Sequence, residues 1–301
     1  MIIDVHAHLA YHKVYPKIFL NAVSEDIKAM IGTNSNDESE FIEKMIYSRL
    51  EDLDCTKLIK QMDEAGIDKT VILMLDLGYK LEDAELSVEE LHEFFYKVYL
   101  NNPERLIIFS GIDPRRGIKG CDLFEKSISE YKFRGLKLFP PCGYELDDSS
   151  LYHYYEICEH YGVPVLIHTG PALDSLKKES RYPESILKVS EKFKKVDFIL
   201  GHAGVKDYQT GLTLAAQREN IFLDIAGFQI QLKDIDLIKQ EMSDLCNKVP
   251  DQVMFGTGWP MFSISGKQKK WVDFIINLDI FNGDKLDKLL YKNAGKVLGI
   301  C

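Results

Sequence analysis

The stretch Ile2-Ile3-Asp4-Val5-His6-Ala7-His8 opens the chain, and its apolar residues are typical of a β-strand that is buried in a sheet. Seven further runs of five to eight residues follow at intervals, each rich in Ile, Val, Leu or Phe. These runs lie at Thr70 to Leu75, Leu106 to Asp113, Gly135 to Phe139, Pro164 to His168, Asp197 to His202, Ile221 to Ala226 and Gln252 to Thr257. They predict eight strands of a parallel sheet.

Segments with helical apolar spacing separate these runs, most clearly Lys57 to Ala65, Glu89 to Leu100 and Leu151 to His160. Eight strand–helix units favour an α/β fold of the (β/α)8 type, a TIM barrel, over an open doubly wound sheet. We expect one domain over residues 1–301. Residues 11–53 form an insertion after strand 1, with a polar stretch at 32–39 that predicts a loop. The insertion is interpreted either as a lid or substrate-contacting arm, or as an excursion with no role in the site.

The composition excludes several classes of protein. A net charge of −10 argues against a nucleic-acid binder, and no apolar run approaches the ~20 residues of a membrane span. The six cysteines are dispersed, with no C-x-x-C pair, and no signal peptide precedes the first strand, so we expect reduced thiols and a cytoplasmic protein. Phosphate-binding glycine motifs are absent, which gives nucleotide cofactors no support.

The faces of strand 1 follow from the alternation of side chains along a strand. We expect the apolar face, Ile3, Val5 and Ala7, to lie against the helices. The opposite face would point into the barrel and carries Asp4, His6 and His8.

Four of the eight histidines fall at the carboxyl ends of predicted strands, where barrel active sites are built: His6, His8, His168 and His202. Imidazole nitrogen binds Zn²⁺ and similar ions, and three protein ligands with an open position make a catalytic site. A bound ion lowers the pKa of its water to about 7, and a fourth imidazole, at His202, would then move protons. The other four lie in loop or helix segments and are expected at the surface: His12, His92, His153 and His160.

The sequence resembles the amidohydrolase superfamily, and most closely its "amidohydrolase 2" branch of metal-dependent hydrolases and decarboxylases. The motifs run from residue 2 to about 298 and include Ile3 to His8, Gly135-Leu136-Lys137-Leu138, Val165 to His168 and Gly201-His202-Ala203-Gly204. The resemblance implies a (β/α)8 fold and one divalent ion held by His6, His8 and His168. Zn²⁺ is expected first, with Mn²⁺, Fe²⁺ or Co²⁺ as alternatives. It also implies an acid/base or second-ligand role for His202 and a possible homodimer.

Position 258 departs from the family pattern. Gly258 stands in Gly256-Thr257-Gly258-Trp259-Pro260, where the family carries an Asp that binds the metal and handles a proton. Three explanations compete: a substitution, natural or made in the laboratory; a pseudoenzyme; or another carboxylate near the metal. The candidate carboxylates are Asp113, Asp174 and Asp224.

Two basic residues are candidates for binding a substrate carboxylate. Alternation places Lys137 inward on strand 4, where an unpaired charge is costly, and in some branches of the superfamily this lysine is carbamylated and bridges two metals. Arg49 lies late in the insertion, where related decarboxylases bind a carboxylate with an arginine, although a solvated helix-face arginine is an equal alternative.

These observations predict a metal-dependent hydrolase that acts on an amide, ester or lactone of small size, weakened by Gly258. The alternatives are a non-oxidative decarboxylase of an unsaturated or aromatic carboxylate, and a non-catalytic binding protein.

Overall fold

The computed structural model describes residues 1–31, 36–170 and 182–300, and in these residues eight parallel strands follow one another around the sheet in chain order. The predicted (β/α)8 barrel is confirmed. The strands are β1 (Ile3–Ala7), β2 (Lys69–Leu73), β3 (Leu106–Gly111), β4 (Leu136–Leu138), β5 (Val165–His168), β6 (Phe198–Gly201), β7 (Ile221–Asp224) and β8 (Val253–Met254). Each lies within the apolar run that predicted it or extends at most one residue beyond it.

Helices lie between successive strands and after β8, as the sequence predicts. Those in the described residues are α1 (Lys17–Ile31), α2 (Asn36–Arg49), α3 (Thr56–Ala65), α4 (Val88–Asn101), α5 (Gly117–Ser129), α6 (Tyr152–Tyr161), α7 (Tyr182–Lys192), α8 (Tyr208–Gln217), α9 (Ile235–Lys248), α10 (Gln268–Ile276), α11 (Asp284–Asp287) and α12 (Asn293–Leu298). In this part of the chain no helix is long and apolar enough to cross a membrane.

The barrel closes between its last and first strands through backbone hydrogen bonds beyond the end of β8. Val5 N–H donates to Phe255 O at 3.0 Å, Gly258 N–H to His6 O at 2.6 Å, and His8 N–H to Trp259 O at 2.7 Å. The segment that carries Gly258 is therefore fixed directly beside the two histidines of β1.

Two apolar clusters lie on the two sides of the sheet. The larger joins the outer face of the strands to the helices, with Ile72, Ile108 and Ile167 among its members. The smaller fills the barrel interior and includes Val71, Phe109, Leu166, Ile199 and Phe222, together with α12. Alternation carries the interior face to His168 on β5, to Lys137 on β4 and to Asp224 on β7.

The prediction for β1 is correct at its end and wrong at its start. Ile3 and Val5 belong to the interior cluster, whereas Asp4 faces outward and contacts Gln268 of α10 at 3.5 Å. The pairing of β1 with β2 shifts register between Asp4 and Ala7. This bulge resets the alternation, so that His6 and His8 enter the barrel after two apolar residues have already done so.

The segment from 11 to 53 contains two helices and a short 3₁₀ turn at His12–Val14. The loop predicted at 32–39 is wrong from Asn36 onward, since α2 begins there, while residues 32–35 lie outside the described part of the chain. Tyr15 and residues of α1 line the main cavity at the carboxyl end of the barrel. Part of this segment therefore borders the cavity.

The sequence predicts His92 at the surface, and this prediction is wrong. Its side chain is fully buried in α4, where Nδ1 lies 2.7 Å from Val88 O and Nε2 lies 2.7 Å from Ser110 Oγ on β3. The ring thereby links α4 to the sheet. His153 and His160 are exposed as predicted, and His12 is half-buried.

Candidate metal centre

Four imidazole rings lie next to one another at the carboxyl end of the barrel. The ring centroids of His6 and His8 are 5.4 Å apart, those of His6 and His202 4.4 Å, and those of His202 and His168 4.9 Å. The residues come from β1, from the end of β5 and from the turn after β6, so three separate strands position one group. The structure thus brings together the four histidines that the sequence singles out.

Hydrogen bonds fix the tautomer of three of these rings. Nδ1 of His8 lies 3.0 Å from Leu73 O, and Nδ1 of His202 lies 2.9 Å from Ala226 O. A carbonyl oxygen only accepts, so each Nδ1 carries the proton and each Nε2 keeps its lone pair. His6 follows the same rule through Asp224 Oδ2, which lies 2.8 Å from its Nδ1. This is the state in which imidazole binds a metal.

Asp224 holds two of the imidazoles in place. Besides His6 Nδ1, its carboxylate accepts the backbone N–H of His202 at 3.1 Å and that of Ala226 at 2.9 Å. One ligand-type atom each of His6, His202 and Asp224 lies within 4.8 Å of those of the other two. Because three donors already occupy the carboxylate, we interpret Asp224 as the residue that orients the ligands, as metal-bound histidines commonly require.

The backbone of His202 is strained, with φ at +68°, in the left-handed region that favours glycine. Contacts on both sides hold it there, since its N–H binds Asp224 and its ring binds Ala226 O. Strained residues of this kind are often found at functional sites, because the fold must over-determine them.

Burial keeps the imidazoles neutral. It lowers the pKa of His6 and His8 well below their usual range, with further lowering from nearby Lys137, and it lowers the pKa of His202 to about 3. Among the described residues, His6 Nε2 is buried and has no hydrogen-bond partner. A buried lone pair without a partner is costly. A divalent cation would satisfy this lone pair, so the residues present fit such an ion.

Lys137 points into the barrel as predicted and is 2% exposed. Its Nζ has no hydrogen-bond partner in the described part of the chain. Burial lowers its pKa to about 7, an effect that the charge of Asp224 opposes. The amine of Lys137 therefore lies near the buried carboxylate of Asp224 and can lose its proton near neutral pH.

Among the described residues, the candidate Asp113 and the β1 carboxylate Asp4 bind other partners and do not join the imidazoles. Asp113 is buried but is bound by Arg115, whose Nε lies 2.8 Å from Oδ1. Asp174 lies outside the described residues. Asp4 accepts the N–H of Thr257 at 2.9 Å and its hydroxyl at 2.6 Å, and burial raises the pKa of Asp4 to about 7.

A cavity of about 190 Å³ opens above the histidines, which form its floor. Tyr15, Phe19 and Val23 line it on one side, Phe139 on another, and Met261 and Phe262 after β8 on a third. Gly258 also lines it, and among the described residues of the lining there is no carboxylate. Sequence reasoning missed these apolar walls, because the three groups of residues lie far apart in the chain.

Arg49 lies away from this cavity. It lines a smaller neighbouring one of about 30 Å³, which shares Val23 and Met261 with the main cavity. The structure therefore does not place Arg49 beside the imidazoles.

A known protein family covers almost the whole chain. The family model described as amidohydrolase matches residues 3–300. The chain belongs to the amidohydrolase family. No curated protein matches this amidohydrolase in sequence.

Solved structures similar to this amidohydrolase share its fold over nearly the whole chain. An uncharacterized TIM-barrel protein from Bordetella bronchiseptica has a TM-score of 0.70 at 19% identity, covering 99% of this chain and 98% of its own. A 5-carboxyvanillate decarboxylase from Novosphingobium aromaticivorans, complexed with manganese and a nitrobenzoic acid, has a TM-score of 0.66 at 15% identity over 99% and 96%. A 4-oxalomesaconate hydratase from Rhodopseudomonas palustris has a TM-score of 0.63 at 17% identity over 100% and 96%. At such identities the likeness shows the fold alone.

Proposed function

We propose that this amidohydrolase is a metal-dependent, non-oxidative decarboxylase of a small aromatic or unsaturated carboxylate. The observation that carries the proposal is the cavity itself, which combines apolar and aromatic walls with a floor of four imidazoles. A planar ring fits such walls, and a carboxylate held there loses its hydration. The decarboxylase with bound manganese adds support at the level of the fold.

The predicted ligands, His6, His8 and His168, remain our proposal for the residues that hold a divalent ion. The Nε2 lone pairs of His6 and His8 are available for it, and Asp224 and Leu73 O support these two rings from behind. An ion bound there would act as a Lewis acid on the substrate's oxygen atoms. The similar decarboxylase contains manganese, so Mn²⁺ stands beside Zn²⁺ as a candidate.

The chain's own residues then have two tasks. The cavity walls hold the ring and exclude water, which favours departure of uncharged CO₂ from a buried carboxylate. The carbon that loses CO₂ must gain a proton, and His202 lines the cavity with Nε2 available to carry one. Because burial lowers the pKa of His202 to about 3, Nε2 is unprotonated at neutral pH, and His202 would pass to the carbon a proton that comes from the solvent.

Hydrolysis of an amide, ester or lactone, the first expectation from the sequence, is less well supported. In the family pattern the Asp expected at position 258 acts as a base and handles the proton of the attacking water, and Gly258 supplies no side-chain oxygen for that task. Decarboxylation does not need that base. Gly258 also keeps a third candidate open, a protein that binds a small carboxylate without turnover.

The test is release of CO₂ from a panel of hydroxybenzoates and unsaturated diacids by the Mn²⁺- and Zn²⁺-loaded protein, beside hydrolysis of lactones, esters and amides. We expect CO₂ release, and we expect His202→Asn to lower its rate about 100-fold or more, as for loss of a general acid. His153→Asn, at an exposed histidine, is the matched control and should keep the rate.

Hydrolysis without CO₂ release would contradict the proposal and restore the hydrolase interpretation. Binding of panel acids without turnover would instead indicate the non-catalytic protein.

A further inference from the structure

The ring of Phe262 fills the space beside Gly258 on the side of the imidazoles. A Cβ added at Gly258 would lie 2.2 Å from Phe262 Cδ2 and 2.7 Å from Cε2, distances that real side chains do not show. A Cβ added at Gly227, after β7, would lie 3.2 Å from Cζ of the same ring. Both glycines have positive φ, +61° and +94°. Phe262 is therefore seated in a cradle that two glycines leave open.

Hydrogen bonds hold both sides of this cradle. Phe262 N–H donates to Gly258 O at 3.2 Å, which places the ring one turn after the glycine. Gln229 accepts the N–H of Gly227 at 2.7 Å and donates through Nε2 to Thr257 O, so the loop after β7 is tied to the end of β8.

The ring of Phe262 also borders the four histidines. Its centroid lies 5.6 Å from that of His202, with the planes at 85°, and it lines the same cavity as the four histidines. A side chain projecting from position 258 would have to enter the volume that this ring occupies.

We propose that Phe262 occupies the volume of the carboxylate expected at position 258, so that the metal centre of this chain is built from imidazoles alone. The ring then fits only because position 258 has no side chain, so Gly258 and Phe262 belong together. The inference rests on the proposed metal site but not on the proposed reaction. It predicts that Asp at 258 supplies a metal ligand only when Phe262 is made small.

The experiment is a cycle of variants measured without substrate. It compares wild type, Gly258→Asp, Phe262→Ala and the double variant, with Gly258→Asn in both backgrounds as the uncharged control of equal shape. The readouts are the melting temperature of the metal-free protein and Co²⁺ affinity followed by its visible spectrum.

We expect Asp and Asn at 258 to lower the melting temperature by about 3 °C or more when Phe262 is present, and by clearly less in the Phe262→Ala background. We expect Co²⁺ to bind Gly258→Asp about as tightly as Gly258→Asn. In the Phe262→Ala background, Asp should bind it at least about tenfold more tightly than Asn, because a carboxylate is a good ligand for this ion.

Three results would each overturn the proposal. The first is tenfold tighter Co²⁺ binding by Gly258→Asp than by Gly258→Asn with Phe262 in place. The second is an equal loss of melting temperature in both backgrounds. The third is equal Co²⁺ affinity of the Asp and Asn forms when Phe262 is Ala.

Two provisions keep the cycle decisive. If the single Asp and Asn variants do not fold while their Phe262→Ala forms do, the steric part is supported and the double variants decide the ligand part. If neither background folds, Gly258→Ala in both backgrounds gives the same comparison of melting temperatures. Because no substrate is used, absence of CO₂ release from any acid leaves these outcomes unchanged.

Discussion

The ends of β1 and β8 are hydrogen-bonded neighbours, yet they face the cavity with opposite chemistry. β1 supplies His6 and His8, and each ring is held by a defined acceptor, Asp224 or Leu73 O. The segment after β8 supplies Gly258 and the ring of Phe262. The difference teaches that two neighbouring segments of one rim present different groups to the same cavity, imidazoles with free Nε2 lone pairs after β1 and an apolar ring after β8.

Lys137→Met gives the largest expected effect. It tests whether a buried polar group beside the histidines lowers the stability of the protein. Lys137→Met should stabilise the metal-free protein on the order of 3 kcal/mol at pH 6, since one unit of pKa shift is about 1.4 kcal/mol. Burial lowers the pKa of Lys137 to about 7 from its usual 10.5. The penalty is therefore complete below pH 7 and disappears as the pH rises towards 10.5.

Urea unfolding at pH 6 and pH 9.5 measures this gain. Lys119→Met, at an exposed lysine, is the control and should show no gain that depends on pH in this way. An equal gain from Lys137→Met at both pH values would mean that burial does not lower the pKa of this amine, which then keeps its charge inside the barrel at both pH values.

Asp224→Asn has the next largest expected effect, because it removes the carboxylate that holds the ring of His6. An amide nitrogen facing His6 Nδ1 favours the other tautomer, with the proton on Nε2, which cannot then bind an ion. We expect a loss of about 10–100-fold in Mn²⁺ affinity, measured by calorimetric titration.

Asp113→Asn is the matched control for Asp224→Asn. Asp113 is an equally buried carboxylate, but it is paired with Arg115. It should therefore lose stability and keep Mn²⁺ affinity. Unchanged affinity in Asp224→Asn would contradict the orienting role.

Arg49→Gln gives the smallest expected effect and sharpens the apolar side. Arg49 lies in the small cavity beside Pro260 and Met261, away from the imidazoles. We expect KM for a carboxylate substrate to change less than about threefold, which corresponds to under 1 kcal/mol. A tenfold rise in KM with unchanged kcat would show that the guanidinium reaches the substrate, as the sequence comparison implied.

The sequence predicts the barrel and the four histidines because both depend on local patterns. Apolar runs locate all eight strands, and the carboxyl ends of strands must meet at one rim. The same approach misses His92, although Val88, Leu91, His92 and Phe95 share the i, i+3, i+4, i+7 spacing of one buried helix face. That spacing was visible and outweighs the polarity of the ring.

Other features depend on contacts between distant residues. The bulge in β1 appears only when the strand is paired with β2, so strict alternation misassigns Ile3, Asp4 and Val5. The cradle of Phe262 joins Gly227 to Gly258 across two strands, and a single sequence shows the missing acid without the ring that replaces it.

The bulge in β1 also limits how this pair of histidines can be transplanted. With Ile3 and Val5 facing inward, regular alternation would place Ala7 inside and direct His6 and His8 towards the helices. On a regular barrel strand, a grafted His-x-His pair can face inward only if the residues before it face outward and leave the interior unfilled. A design that needs both a filled interior and two inward histidines must therefore copy the bulge as well.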